Sequence, residues 1–559
     1  MRIKRSFLAP AIVALIALAT GGWFLQQGAS QDRNVYFQAR LFEEVLHHIS
    51  DRYVDQKDPA SLYRMAIDGL LQELGDPHTV FMEPKDYEHL RVQTQGEYGG
   101  LGIEIDVRDG WVTVISPLPG TPAERVGLQA GDRIIDVDGT STKGWTADDA
   151  VLRLRGPKGA PVNIKVARFG VDEPIPFRIV RDEIHVKSIR SAYIMDGGVG
   201  YIELRVFSET STDELRAEIN ALRKEGMRGL VLDLRRNPGG LLDQGVSVSD
   251  VFLSRGLTVA ETRSRVPSQN QKFSAIDGDE YPGLPIVVLV GPGSASASEI
   301  LAGALQDHDR ALIMGETSFG KGSVQTLYPL PAGNYLKLTT ARWFTPAGRS
   351  IQRPYDERAE SEPTPAVVCP PEEQCAAPSR QDTYRTDSGR TVYGGGGIRP
   401  DLIIKPDTLT DNEQAFARSV QKYGSKFADA IYGYAIRYVR QHPDLKPGFP
   451  LTPDAVDGFY QALIDAGIAV DRAQYGSATR WLGRELAYQI SYARWGEEEA
   501  RKRFGQNDPQ LALAVELLRQ AHDPKSLIAL AARYETERGS AAKGSAQAAK
   551  KTAASGRRP

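Results

Sequence analysis

The run Ile286-Val287-Val288-Leu289-Val290, followed by Gly291-Pro292-Gly293-Ser294-Ala295-Ser296-Ala297-Ser298-Glu299-Ile300, decides how the rest of the chain is read. Five apolar, mostly β-branched residues bounded by Pro285 and Gly291 predict a short strand buried on both faces. Gly291-Pro292-Gly293 predicts a turn. Ile300, Leu301 and Leu305 then fall on helical spacing, so a helix is expected from about Ser294. A second strand, Ala311 to Met314, leads into Gly315-Glu-Thr-Ser-Phe-Gly-Lys-Gly-Ser-Val-Gln325. A small hydroxyl residue at a strand-to-helix turn is where a nucleophile is exposed beside backbone N–H groups.

Upstream, the pattern repeats. Val199 to Leu204 predicts a strand, Thr212 to Glu225 a helix, and Gly229 to Leu234 a strand that runs into Arg235-Arg236-Asn237-Pro238-Gly239-Gly240. Alternating strands and helices describe an α/β core. A Gly-Gly pair after a buried strand lets the backbone approach a ligand, or simply turns the chain toward the next helix.

Ser294, Ser296 and Ser298 compete as nucleophile. Ser296 and Glu299 also stand at capping-box spacing, which alone would make Ser296 a helix N-cap. Histidine separates the possibilities. Between 183 and 405 the only histidines are His185 and His308. His308 lies roughly 18 Å from Ser296 along a helix at 1.5 Å per residue, out of reach. His185 sits in a segment between modules. A Ser-His-Asp triad is therefore not expected, and a Ser-Lys dyad remains. Its lysine must be neutral, which needs a pKa well below ~10.4. Lys321 fits, with Gly320 and Gly322 packing backbone around it and Phe319 excluding water; Gln325 stands four residues on, placed to hold the amine. A solvated surface lysine is the bland alternative. Gly315 to Lys321 also reads G-x-x-x-x-G-K, but Gly322 stands where a phosphate-binding loop needs Ser or Thr, and a strand is expected where it needs a helix.

Outside this core the texture changes. The chain has 559 residues and a net charge of -3, enough for several domains and no signature of nucleic-acid binding. Arg2, Lys4 and Arg5 precede an uncharged run from Phe7 to Leu25, a removed signal peptide or an uncleaved anchor; either exports the rest of the chain. Two amphipathic helices are expected over Val35 to Val54 and from Asp58-Pro59 to Leu74, packing on the body or on a second copy. From Gly96 to Asp182 short strands take over. The series Gly99-Gly100-Leu101-Gly102-Ile103, Pro122-Ala123, Gly127-Leu128 and Gly131-Asp132-Arg133-Ile134 resembles a PDZ domain. That resemblance implies Leu101, Gly102 and Ile103 as the loop that takes a peptide's C-terminal carboxylate, the peptide adding as a strand beside it. A PDZ domain used only as an internal brace is the alternative. Cys369 and Cys375, the only two cysteines, lie in a Pro-rich insert as a short disulfide loop or two surface thiols.

Taken together, Asp233-Leu-Arg-Arg-Asn-Pro-Gly-Gly240, Gly293-Ser-Ala-Ser-Ala-Ser-Glu-Ile300, the lysine segment and the PDZ-like region resemble the carboxyl-terminal processing peptidases, or tail-specific proteases, of serine peptidase family S41. The resemblance covers about 35 to 405. It implies Ser296 as nucleophile, Lys321 as general base and Gln325 as the residue that orients it. It places the oxyanion hole at the N–H of Ala297 and of Gly239 or Gly240, and Arg155 as the link from PDZ domain to active site. The expected architecture is multidomain α+β. It comprises a signal or anchor (1–30), an N-terminal helical region (31–95), a PDZ domain (96–182), an α/β S41 core (183–405, insert 353–392), a helical extension (406–538) and a disordered basic tail (539–559). The implied activity is that of a serine endopeptidase of the periplasm or cell envelope, which needs no metal or cofactor. It would bind protein substrates by their C-termini, with an adaptor or homo-oligomer and the membrane as further partners and no nucleic acid. A catalytically silent, membrane-tethered PDZ scaffold is the alternative.

Overall fold

The computed structural model describes residues 35–168, 171–353 and 382–555. The apolar segment 7–25 and both cysteines lie outside them. Among the described residues no helix is long and apolar enough to cross a membrane. The chain divides into two compact units, one holding the residues up to Pro84 with Gln325–Thr339, the other Lys85–Val324 with everything from Thr340 on.

In the first unit, residues 35–52 are helical. A second helix, Pro59–Glu73, starts where the sequence places it, with Asp58 accepting the Ser61 N–H at 3.0 Å and proline at the first helical position. Leu46 and Leu62 are buried, while Tyr36, Phe37, Leu41 and Phe42 stay exposed. The strand Val80–Met82 pairs antiparallel with Tyr335–Lys337.

The second unit is built on a six-stranded sheet: β1 (Ile189–Met195), β2 (Val199–Leu204), β3 (Gly229–Asp233), β4 (Ile286–Val290), β5 (Leu312–Gly315) and β6 (Leu402–Ile403), in that spatial order. Only the β1–β2 pair is antiparallel. Every residue of β2 to β5 is buried, as expected of parallel strands covered on both faces. The two faces follow the period of two along each strand. Leu230, Leu232, Ile286, Val288 and Ile313 pack on α1 (Ser211–Lys224), α2 (Leu242–Asp250) and α3 (Ala297–Asp307). Val231, Val287, Leu289, Leu312 and Met314 face the other way, onto Leu511, Leu517 and Leu518 of α4 (Pro509–Gln520) and Leu527 of α5 (Pro524–Ser555). Part of the expected extension is thus the second layer of the core. Its remaining helices, from Asp411 to Gly505, bury a separate cluster around Phe416, Phe459, Tyr475 and Leu482. Helix α5 continues to Ser555, through the residues from 539 on that composition alone reads as a disordered tail.

The PDZ region forms its own sheet and core. Its first strand, Ile103–Arg108, turns through Asp109 (φ 52°) and Gly110 (φ 74°), both left-handed as a two-residue hairpin needs, into Trp111–Pro117. Among the described residues, Ile103–Arg108 pairs with another strand on one side only and so leaves an edge open. A two-stranded ribbon, Glu97–Gly100 with Asp182–His185, carries the chain into and out of this domain. On the outer face of the edge strand, Glu104 accepts from the Tyr492 hydroxyl at 2.9 Å and Arg108 lies 4.1 Å over the Tyr432 ring.

Candidate active site

The segment 286–300 delivers its serines at the carboxyl end of β4. Helix α3 begins at Ala297 rather than at Ser294, because the three serines are put to different uses. Ser294 is buried; its hydroxyl donates to the Leu234 carbonyl at 2.7 Å and accepts the Gly291 N–H at 3.0 Å. Ser298, also buried, donates to the Asn237 carbonyl at 2.9 Å. Both fasten the turn. Ser296, half-buried, stands between them in a different backbone state.

Its dihedrals are φ 55° and ψ −114°. An ordinary N-cap is extended with negative φ. Ser296 instead occupies the first central position of a type II′ turn, a conformation dominated by glycine. Such an outlier costs about 1–3 kcal/mol and persists where the surroundings hold it in place. The capping relation with Glu299 is present, since Glu299 Oε2 accepts the Ser296 N–H at 2.8 Å. Capping alone does not ask for this φ. A serine held out on a sharp strand-to-helix turn does.

The link that Glu299 makes between the serine turn and the lysine loop is what sequence reasoning missed. Glu299 is fully buried and accepts four hydrogen bonds: the N–H of Ser296 and of Lys321 (2.9 Å) on Oε2, and the Ser318 hydroxyl (2.5 Å) and the Gly320 N–H (2.7 Å) on Oε1. Ser296 and Lys321 therefore share one carboxylate oxygen, which holds their backbone nitrogens within about 6 Å of each other. Burial pushes the Glu299 carboxyl above its usual range, and the donated hydrogen bonds oppose the shift. The sequence did flag Glu299 at its capping-box spacing. Its second set of partners, some twenty residues downstream, left no local trace.

From Thr317 to Gly322 the chain has no regular structure, and a strand, Ser323–Pro329, comes after it. A strand and not a helix follows Lys321, so the phosphate-loop reading lacks the helix that its motif requires. The Phe319 N–H donates to the Ser294 carbonyl at 2.9 Å, tying the loop to the serine turn a second time. Lys321 itself is half-buried. Gln325 belongs to the first unit, where its Nε2 donates to Thr339 Oγ1 at 3.3 Å. The two histidines between 183 and 405 are engaged elsewhere, His308 with Asp387 (2.7 Å) and the Thr258 carbonyl (2.8 Å), and His185 with Glu214 (2.7 Å).

The glycine turn meets the serine from the other side. Asn237 is buried and organises it: Nδ2 donates to the Leu204 carbonyl at 2.9 Å, and its backbone carbonyl accepts from Ala295 at 3.1 Å. A Cβ on Gly239, at φ 96°, would lie 2.8 Å from Ser296 Cβ and 2.9 Å from Ala297 N, so only glycine fits there. The Gly239 N–H donates to Asn237 Oδ1 at 2.8 Å. Among the described residues, neither the Gly240 N–H nor the Ala297 N–H makes a backbone or side-chain hydrogen bond.

The remaining predicted residues lie in the PDZ domain. Leu101 is buried and Gly102 has φ 74°. Their carbonyls accept from Ala123 and Leu118 (both 2.9 Å), while their N–H groups make no hydrogen bond among the described residues. Ile103 opens the edge strand. Arg155 caps the helix Ala147–Leu154 and lies 4.2 Å over the ring of Tyr98, on the connecting ribbon.

Comparison with known proteins identifies the family. Residues 198–357 match peptidase family S41, 89–167 match the PDZ domain, and 24–86 match the activating protease CtpB N-terminal domain. The carboxy-terminal-processing protease of Bartonella bacilliformis is 44% identical over 327 residues, covering 58% of this chain and 74% of that protein. The chain belongs to the carboxy-terminal processing protease family. It is therefore an S41 serine peptidase with a PDZ domain. Within the family, CtpB of Bacillus subtilis is 34% identical over 313 residues, covering 56% of this chain and 65% of that protein. Among solved structures, a photosystem II D1 C-terminal processing protease shares 34% identity with a TM-score of 0.31, covering 55% of this chain and 82% of that one.

Proposed function

We propose that the protein is an endopeptidase of the cell envelope that takes protein substrates by their C-termini and cuts them with a Ser296–Lys321 dyad. The observation that carries this reading is the strained serine whose backbone N–H shares one buried carboxylate oxygen with the N–H of the lysine. Ser296 Oγ attacks the scissile carbonyl while the neutral Lys321 amine takes its proton. The N–H groups of Ala297 and Gly240 stabilise the tetrahedral oxyanion. Collapse expels the amine, which leaves with the proton from Lys321, and an acyl-enzyme remains. Lys321 then activates the water that releases it.

Substrate delivery falls to the PDZ domain. The carboxylate meets the N–H groups of Leu101, Gly102 and Ile103, and the substrate's last residues pair with the open edge of Ile103–Arg108. Arg155, stacked on the ribbon residue Tyr98, passes docking on toward the core. The basic and apolar segment from Arg2 to Leu25 supports export to the periplasm, with attachment to the inner membrane if it is retained.

An unfolded reporter with an apolar C-terminus tests the reading. The protein is expected to cleave it, and to lose at least about 10-fold in kcat/KM when the reporter ends in two aspartates, with cleavage abolished in Ser296→Ala and Lys321→Ala. Equal cleavage by all three proteins would remove the dyad. Indifference to the C-terminus would remove the PDZ role.

A further inference from the structure

Trp343 lies on the strand Tyr335–Phe344 and is 1% exposed, one of the largest buried side chains in the protein. Its indole N–H donates to the backbone carbonyl of Lys321 at 3.1 Å, and its own backbone N–H donates to the carbonyl of Gly322 at 2.9 Å. The residue is itself fixed by strand pairing, with Thr262 opposite Trp343 in register. Lys321 is therefore held through both of its backbone groups. Glu299 takes the N–H of Lys321, and Trp343 takes its carbonyl, from a different element.

Lys321 needs such an anchor. It sits in a loop without regular structure and is flanked by Gly320 (φ 87°) and Gly322, the residues that restrain a backbone least. A long amine delivers its nitrogen accurately only if the Cα it hangs from is held, and small displacements of a reacting group cost large factors in rate. A buried indole N–H also requires an acceptor, so the bond holds both partners. We propose that Trp343 is a positioning residue for the general base, setting the place of Lys321 through its carbonyl rather than through its amine. The inference rests on Lys321 being the base.

The test replaces Trp343 with phenylalanine, which keeps an aromatic ring and removes the donor. Turnover is expected to fall about 10-fold with KM little changed, since the substrate is not touched. The acid limb of kcat/KM against pH, which reports the base, is expected to move by about half a pH unit or more, because a displaced amine meets a different environment. A tryptophan isostere with sulfur in place of the indole N–H, incorporated at 343 alone, keeps the full shape and is expected to reproduce both changes. If the isostere has the turnover and pH profile of the wild type, the proposal is wrong, whatever phenylalanine does to folding. Wild-type activity in Lys321→Ala would instead overturn the assignment of the base, a separate failure.

Discussion

Replacing Ser296 with glycine is expected to abolish turnover and, at the same time, to stabilise the fold by about 1 kcal/mol. The two effects have one origin. At φ 55° and ψ −114° a side chain is disfavoured by about 1–3 kcal/mol, while glycine adopts the conformation freely. Against this stands the greater unfolded-state freedom of glycine, worth about 0.5–1 kcal/mol. The balance favours the variant. Ser296→Ala, which loses the hydroxyl but keeps the Cβ, is expected to be just as inactive without the gain. Urea denaturation of the three proteins measures the difference directly. A Ser296→Gly protein less stable than Ser296→Ala would mean that the serine is not strained, and would restore the plain N-cap reading.

Glu299→Gln should be the most damaging change outside the dyad. Three backbone N–H groups and one hydroxyl donate to the Glu299 carboxylate. A glutamine keeps one acceptor oxygen and turns an NH2 group toward donors. Whichever way the amide turns, its NH2 faces at least one buried backbone N–H, that of Gly320 or those of Ser296 and Lys321, at about 1–3 kcal/mol for each group left without an acceptor. Stability is expected to drop by about 2–4 kcal/mol and turnover by about 100-fold or more, because the one carboxylate holds both the serine turn and the lysine loop. Kinetics on the folded fraction, set against the loss of stability, separates the two. A stable Glu299→Gln protein with normal kcat would show that the full carboxylate has no part in catalysis.

The core was legible in sequence because its signals are local. A β-branched run at 286–290 and the alternation from 199 to 234 specify strands that the sheet contains, and Asp109-Gly110 specifies a hairpin through turn chemistry that needs no tertiary context. The serine segment and the lysine segment were legible as motifs. What joins them was not. Glu299 and Trp343 act on Lys321 across 22 residues each, through a backbone N–H and a backbone carbonyl, and neither bond leaves a periodicity or composition to read. The helices α4 and α5 were read as part of an appendage for the same reason. Their apolar faces are visible in sequence, but the surface they cover, the second face of the sheet, is made of residues some 200 to 330 positions away.

The chemistry is tested most directly by labelling the protein with a fluorophosphonate probe and finding the modified residue by peptide mass spectrometry. Ser296 is expected to carry the label, at a rate that falls at least about 100-fold in Lys321→Ala, since only a deprotonating amine makes this hydroxyl a nucleophile. Labelling of any other serine, or an unchanged rate without Lys321, would contradict the Ser296–Lys321 dyad.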